Sequence, residues 1–279
     1  MSFPVPEELK LNWKKALFYG IKWVREYFSE AGVKTAVIGM SGGSDSTLTA
    51  YITAKAIGAN NVLGVMLPED GITPDEDIRH AESTILALGM RKTNINITTL
   101  VKEISGMDFD LEKPENRIAY ANVKARLRMV LLYKEANKSG SLVAGTDDRS
   151  ENILGYFTKY GDGGVDINVP EYLYKTQVRG LLSYIAKKEN MPAFDEIAEK
   201  PPSPRLWAGH TAENELNMDY AVLDTVLFYL KDKRPKMTEE KLAARLHIEK
   251  ELINRIMDMA RKNAHKNAIP PSPKCINLR

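Results

Sequence analysis

The chain has 279 residues, 43% of them hydrophobic and 27% charged, with a formal net charge of +2. That balance belongs to a globular protein with one large core or two modest ones, and it excludes a general polyanion-binding surface. A single cysteine, Cys275, excludes an intrachain disulfide framework and a cysteine-based metal centre, and no apolar run is long enough to span a membrane. Leu9, Trp13, Leu17, Ile21, Val24 and Phe28 recur at steps of three or four, which predicts a first helix ending near Gly32. Residues 35–40 then form a short apolar run suited to a strand buried on both faces. A Gly-rich loop follows, and residues 46–56 continue as a helix. Residues 62–67 read as the second strand. Thr73 is the expected N-cap of the next helix, with Pro74 at its first position and Gly89 at its end. Residues 93–98 are β-rich and read as the third strand. Ile118, Ala121, Ala125, Met129 and Leu132 form another helical stripe, and residues 142–144 read as the fourth strand.

Strand–helix alternation at this spacing predicts an α/β fold, a doubly wound parallel sheet flanked by helices. Beyond about Pro170 the strand signals stop. Residues 174–188, 217–230, 238–246 and 248–263 read as helices, so C-terminal helical additions are expected on one domain spanning 1–279. Its parts are an N-terminal helix (1–32), an α/β core (33–170) and a helical part (171–279). Residues 1–10 contain two prolines and two glutamates and no apolar stretch, which reads against a secretory signal. A reducing cytoplasm is the expected location.

Ser41-Gly42-Gly43-Ser44-Asp45-Ser46 lies after the first strand and at the start of its helix. In an open parallel sheet, ligands bind beyond the C-terminal ends of the strands. The two glycines allow a sharp turn, and the N–H groups at the helix start face an anion, so the loop is a phosphate cradle. It lacks the Gly-Lys-Ser/Thr ending of a P-loop, and Gly39, Gly42 and Gly43 do not give the dinucleotide fingerprint. Asp45 inside the cradle needs a cation between itself and a phosphate, and Mg²⁺ is the natural choice. The plainer reading is a tight turn with Asp45 a helix-capping residue; the βαβ placement favours the nucleotide reading. After the fourth strand comes Gly145-Thr146-Asp147-Asp148-Arg149-Ser150-Glu151. There Glu151 can point across the mouth of the sheet toward Asp45, as a magnesium pyrophosphate site requires. A glycine-rich segment, residues 157–166, follows as a candidate contact loop.

Taken together, these motifs resemble the NAD synthetase family of the N-type ATP pyrophosphatase superfamily. The likeness runs from the Ser41 loop through Gly145-Thr146 and Ser150-Glu151 to residues 155–166 and 173–178. It continues to Lys200-Pro201-Pro202-Ser203, Leu206-Trp207 and His265-Lys266. Residues 158–166 are the part most particular to NAD synthetases. The resemblance implies the adenine nucleotide alpha hydrolase-like fold, a homodimer with the second substrate at its interface, and a ligase that cleaves ATP to AMP and pyrophosphate. The nicotinate carboxylate of deamido-NAD would take the adenylyl group, and ammonia would displace AMP.

By that resemblance Gly39, Met40, Ser41, Gly42, Gly43, Ser44, Asp45, Ser46, Thr146, Lys175 and Ser203 contact ATP. Asp45 and Glu151 hold Mg²⁺. Arg126, Lys159, Asp166, His265 and Lys266 contact deamido-NAD. Asp45, Lys175 and Asp166 are the catalytic candidates, Lys175 neutralising the departing pyrophosphate and Asp166 a candidate for an ammonium site near the adenylate. Pro204 and His210-Thr211-Ala212-Glu213 depart from the family pattern within an expected lid, residues 200–213. Only forty residues precede Ser41, too few for a nitrilase-like glutaminase, so free ammonia is the expected nitrogen source. The alternatives are a GMP synthetase-like or tRNA-modifying ligase, a nucleotide-binding regulator without chemistry, or a DNA-binding protein using residues 238–263 as a helix-turn-helix.

Overall fold

Ala36, Val37 and Ile38 are fully buried, and the strand they build, β1 (Ala36–Gly39), is the centre of a five-stranded sheet. The computed structural model describes residues 5–106, 113–201, 216, 218–233 and 235–273. The other strands are β2 (Val62–Met66), β3 (Arg91–Asn94), β4 (Leu142–Gly145) and β5 (Ile167–Asn168), all parallel, in the order β3-β2-β1-β4-β5. Side chains on a strand alternate between faces. Ala36, Ile38, Met66 and Ala144 accordingly pack on one side of the sheet, and Val37, Val65 and Val143 on the other.

The first of those faces is covered by α1 (Trp13–Glu30), α2 (Ser44–Ile57), α3 (Asp75–Leu88), α7 (Lys175–Glu189) and α8 (Pro192–Glu199), through Val24, Leu48, Ile85, Val178 and Phe194. The second is covered by α4 (Thr98–Ser105) and α5 (Pro114–Ser139), through Val101, Leu127 and Leu131. From β1 the chain steps outward through α2 to β2 and through α3 to β3. It then returns by α4 and α5 to the opposite side of β1, where β4 pairs. This reversal puts a topological switch point between β1 and β4, and a crevice forms outside their C-terminal ends.

Several boundaries differ from those the sequence predicts. The third strand covers 91–94 rather than 93–98. Asn96 ends it: its side-chain oxygen accepts from Thr98 N at 2.9 Å, a local turn that competes with the ladder, and Thr98 opens α4. Pro74, not Thr73, is the N-cap of α3, because Thr73 Oγ1 instead accepts from Glu69 N at 2.9 Å. Leu9 lies in a separate 3-10 turn, Glu7–Leu9, ahead of α1. β5 was not expected; with two residues it has no period to read.

The C-terminal part builds a second core. It comprises α6 (Arg149–Leu154), α9 (Tyr220–Leu227), a π turn at Phe228–Asp232, α10 (Glu239–Leu246) and α11 (Lys250–Asn263). Leu223, Leu227, Leu242, Ile253 and Ile256 are buried together there, with Leu9 and Leu154. The α10–α11 pair thus spends its apolar faces on packing inside the chain. Ile253→Ala is expected to lower unfolding free energy by about 2–4 kcal/mol in urea denaturation; a loss under about 1 kcal/mol would mean this helix pair does not share the cooperative core. Among the described residues no helix is long and apolar enough to cross a membrane.

Candidate active site

Gly43 caps α2, so the backbone N–H groups of Ser44, Asp45 and Ser46 begin the helix without intrahelical acceptors; the first intrahelical bond is Thr47 N to Gly43 O at 3.1 Å. Gly42 makes the turn with φ +78° and lies against the backbone of Asp77, where a Cβ would sit 2.1 Å from the carbonyl oxygen. The hydroxyls brace the loop from within. Ser41 Oγ and Ser46 Oγ are 3.0 Å apart, Gly43 N donates to Ser41 Oγ at 3.3 Å, and Ser46 Oγ donates to Gly43 O at 3.1 Å. This cradle opens into a cleft of about 510 Å³ lying at the switch point.

Across the cleft stands α6. Asp148 caps it, accepting from Glu151 N at 2.9 Å, while Glu151 Oε2 accepts from Asp148 N at 3.2 Å. This reciprocal capping box leaves Glu151 Oε1 free to face α2. Lys175, the first residue of α7, inserts between the two helices and is 1% exposed. Its Nζ lies 2.9 Å from Asp45 Oδ1, 3.0 Å from Asp148 Oδ2 and 2.8 Å from Glu151 Oε1. Burial works against the ammonium, but Asp148, Asp45 and Glu151 outweigh it and hold the Lys175 pKa above that of an ordinary lysine. Burial also pushes the Asp148 carboxyl up to about 7 and that of Glu151 up to about 8, against the pull of Lys175. Asp147, likewise buried, is raised well above the ordinary carboxyl range.

Lys175 is positioned from the second core. Asp224 on α9 is fully buried; Ser150 Oγ donates to its Oδ1 at 2.6 Å and Thr176 N to its Oδ2 at 2.8 Å. Lys175 N donates to the same Ser150 oxygen at 3.0 Å. One carboxylate therefore fastens the N-terminus of α7 to α6. Burial raises Asp224 to about 6, whereas an unfolded aspartate titrates near ~3.9. Below about pH 4 the group is protonated in both states and its contribution is fully present. As pH rises through about 6 the folded chain gives up a proton it held more tightly, and about 3 kcal/mol of stability is lost. Asp224→Asn titrates in neither state. The stability difference between the two chains is expected to move in favour of the variant by about that amount between pH 4 and 7.5, measured by urea denaturation.

The structure brings Gly39, Met40, Ser41, Gly43, Ser44, Asp45, Ser46, Thr146, Glu151, Lys175 and Lys266 to the cleft. Gly42 forms the turn behind it. Lys266 Nζ donates to Gly155 O at 2.7 Å and Phe157 O at 2.8 Å, clamping the start of the glycine-rich segment. Other expected contacts lie elsewhere. Arg126 is exposed on the outer side of α5, away from its neighbours Ala125 and Met129, which line the cleft. Lys159 Nζ donates to His265 O at 2.8 Å, and His265 itself is exposed. Asp166 is exposed and accepts from Tyr133 OH on α5 at 3.0 Å and from Val143 N on β4 at 2.7 Å, so each oxygen has a partner within the chain. Ser203 and most of the expected lid lie outside the described residues.

Sequence reasoning left unassigned Asp148, behind the cleft, and three residues that line it. Asp148 carried a usable signal, the Asp-x-x-Glu spacing of a capping box. Arg128, whose Nε donates to Leu67 O at 3.3 Å, lies one turn beyond Lys124, which pairs with buried Glu69 at 2.9 Å. Asp77 and Lys200 form a second ion pair at the rim. Nothing in the local pattern distinguishes these from surface charges. The stripe at Ile118, Ala121, Ala125, Met129 and Leu132 also changes meaning, because it lines the cleft.

The trio suits a divalent ion. Its ligand oxygens lie within 4.8 Å of one another, and buried Asp45 Oδ1 and Asp148 Oδ2 meet the ammonium without a directed hydrogen bond. Fully ionised, three carboxylates and one ammonium leave two negative charges, and an all-oxygen donor set matches Mg²⁺.

Residues 17–270 match the family model for NAD synthase. The chain belongs to the NAD synthase family. The NH(3)-dependent NAD(+) synthetase of Hyperthermus butylicus is 42% identical over 98% of this chain and 95% of its own length. That of Methanocaldococcus jannaschii is 41% identical over 91% and 94%. Among solved structures, NMN synthetase from Francisella tularensis superposes with a TM-score of 0.77 at 27% identity, covering 95% of this chain and all of that one. The NH3-dependent NAD synthetase of Campylobacter jejuni gives 0.73 at 25% identity with the same coverage. These matches support the expected adenine nucleotide alpha hydrolase-like fold. They also fit the family's use of ATP.

Proposed function

We propose that this NAD synthase family member amidates deamido-NAD with ammonia at the expense of ATP, giving NAD, AMP and pyrophosphate. The observation that carries the reading is Lys175 held between the Asp45 end of the phosphate cradle and the Glu151 end of α6. A nicotinate carboxylate oxygen attacks the α-phosphorus, the bond to the β-phosphate oxygen breaks, and pyrophosphate leaves with its charge met by Lys175 and the α2 amides. The nitrogen of ammonia then adds to the acyl carbon, loses a proton, and AMP leaves. Mg²⁺, held by Asp45 and Glu151 with Asp148 beside them, would supply charge neutralisation at the phosphates.

The nucleotide contacts assigned above to residues 39–46, Thr146 and Lys175 are part of this proposal, as is Lys266 toward deamido-NAD. Arg126, exposed on the outer side of α5, which also exposes Ile118 and Val130 at 61% and 56%, fits a homodimer in which one subunit reaches a substrate held by the other. We place the reaction in the cytoplasm, where a chain with one cysteine stays reduced. The likeness to an NMN synthetase raises a second reading, with nicotinate mononucleotide as the carboxylate. Purified protein with ATP, Mg²⁺ and ammonia decides. AMP formation is expected to depend on deamido-NAD and to run faster with ammonia than with glutamine. Preference for the mononucleotide would select the second reading, and AMP formation indifferent to both substrates would overturn the first.

A further inference from the structure

We infer that Lys175 is the resident cation of the Asp45–Asp148–Glu151 trio, and that its ammonium and the divalent ion occupy one position in turn. The inference rests on the ATP-cleaving reading above and adds an order of events to it. Lys175 Nζ is 2.8 to 3.0 Å from an oxygen of each acid, and the three acids each offer a carboxylate oxygen within 4.8 Å of the others. A nitrogen so placed sits at the centre of the set. A magnesium ion bonded to the same oxygens at about 2.0–2.1 Å would have to share that centre. Two cations cannot do so: they would be closer than van der Waals contact and would repel strongly at that distance.

Neither can the position be left without a cation. Asp148 is fully buried, and apart from its cap bond from Glu151 N its charge is met by Lys175 alone among the groups described. Removing the ammonium without replacement would strand a buried anion or force it to take up a proton. The exchange therefore needs an incoming anion to receive Lys175 and an incoming cation to receive the trio. A nucleotide phosphate seated on the α2 amides satisfies the first need. Asp45, in the first turn of the same helix, is the acid nearest that seat. The lysine has four methylenes to swing on and stays anchored by its backbone N–H to Ser150. Free divalent ion thus finds the trio already neutralised in part, and metal enters with the phosphates rather than before them.

The test reads metal binding in nucleotide-free protein. Mn²⁺ is titrated at pH 8 and followed by electron paramagnetic resonance in the unaltered chain, K175M and K175R. The unaltered chain and K175R, which keeps the charge, are expected to bind Mn²⁺ weakly. K175M is expected to bind at least about tenfold more tightly, and the K175M/D45N double variant to lose that gain. Equal affinity in the unaltered chain and K175M would overturn the proposal. A second measurement needs no substitution. In ¹⁵N-lysine-labelled protein the Lys175 ammonium resonance is expected to stay in place when Mg²⁺ is added alone, and to shift when Mg²⁺ is added with pyrophosphate. A shift with Mg²⁺ alone would overturn the ordering. Because neither readout uses turnover, a chain that fails to amidate deamido-NAD would sink the functional reading while leaving this result intact.

Discussion

Lys175→Ala is expected to slow pyrophosphate release by about 10²–10³-fold, with the loss in kcat rather than in KM for ATP. The size follows from placement. The ammonium is 1% exposed and bridges the α2 end of the phosphate cradle to α6. A charge preorganised in such a site is worth far more to a departing pyrophosphate than the same charge in water. Its removal also leaves Asp45, Asp148 and Glu151 facing one another without a counter-ion. Lys175→Arg keeps the charge at the trio but is expected to stay impaired, because a planar guanidinium does not reproduce the compact ammonium's contact with a departing phosphate. Rapid-quench measurement of pyrophosphate with ATP, Mg²⁺ and deamido-NAD checks this. A rate within about threefold of the unaltered chain would remove Lys175 from the chemistry.

Gly42→Ala is expected to cost about 2–4 kcal/mol of stability and to abolish tight ATP binding. Two costs add. The residue has φ +78°, a left-handed conformation that L side chains disfavour. The new Cβ would also lie 2.1 Å from Asp77 O and 2.8 Å from its carbonyl carbon, and this is backbone that cannot rotate away. Relief requires the loop to lift off α3, which moves the amides of Ser44 to Ser46 away from a common centre. Asp77 is itself tied to Lys200, so the first turn of α3 cannot simply retreat. Urea denaturation measures the first effect and calorimetric titration with an ATP analogue the second. Normal ATP affinity in a destabilised variant would separate the turn from the cradle.

The sheet was readable because burial on both faces forces near-continuous aliphatic runs, as at residues 36–38, 62–66 and 142–144. The helices were readable because Leu17, Val24 and Phe28 on α1, or Ile253 and Ile256 on α11, must recur on one face to reach a core. Boundaries were less readable where side-chain hydrogen bonds decided them, as at Asn96 and Thr73. β5 is too short for any period. The apolar stripe of α5 reads alike whether it meets a core or a cleft, and only the packing of α5 on the sheet assigns it to the cleft.

For the site, the chain order alone determined that a Gly-rich, helix-opening loop follows β1 and that an acidic loop follows β4, since glycines and acids after a strand have a local reason to be there. Tertiary structure decided what those loops share. The crossing of the chain between β3 and β4 sets β1 and β4 side by side, and so places Asp45 and Glu151 within one ion's reach. Lys175 enters from a helix outside the sheet, held by Asp224 from the second core, a lone acid on an apolar helix with no sequence signal. Asp166, by contrast, sits in a family motif, yet Tyr133 on α5 and Val143 on β4 each donate to one of its oxygens. Local residue chemistry is written along the chain, but charge pairing across 130 residues of separation, as between Asp45 and Lys175, depends on which strands become neighbours.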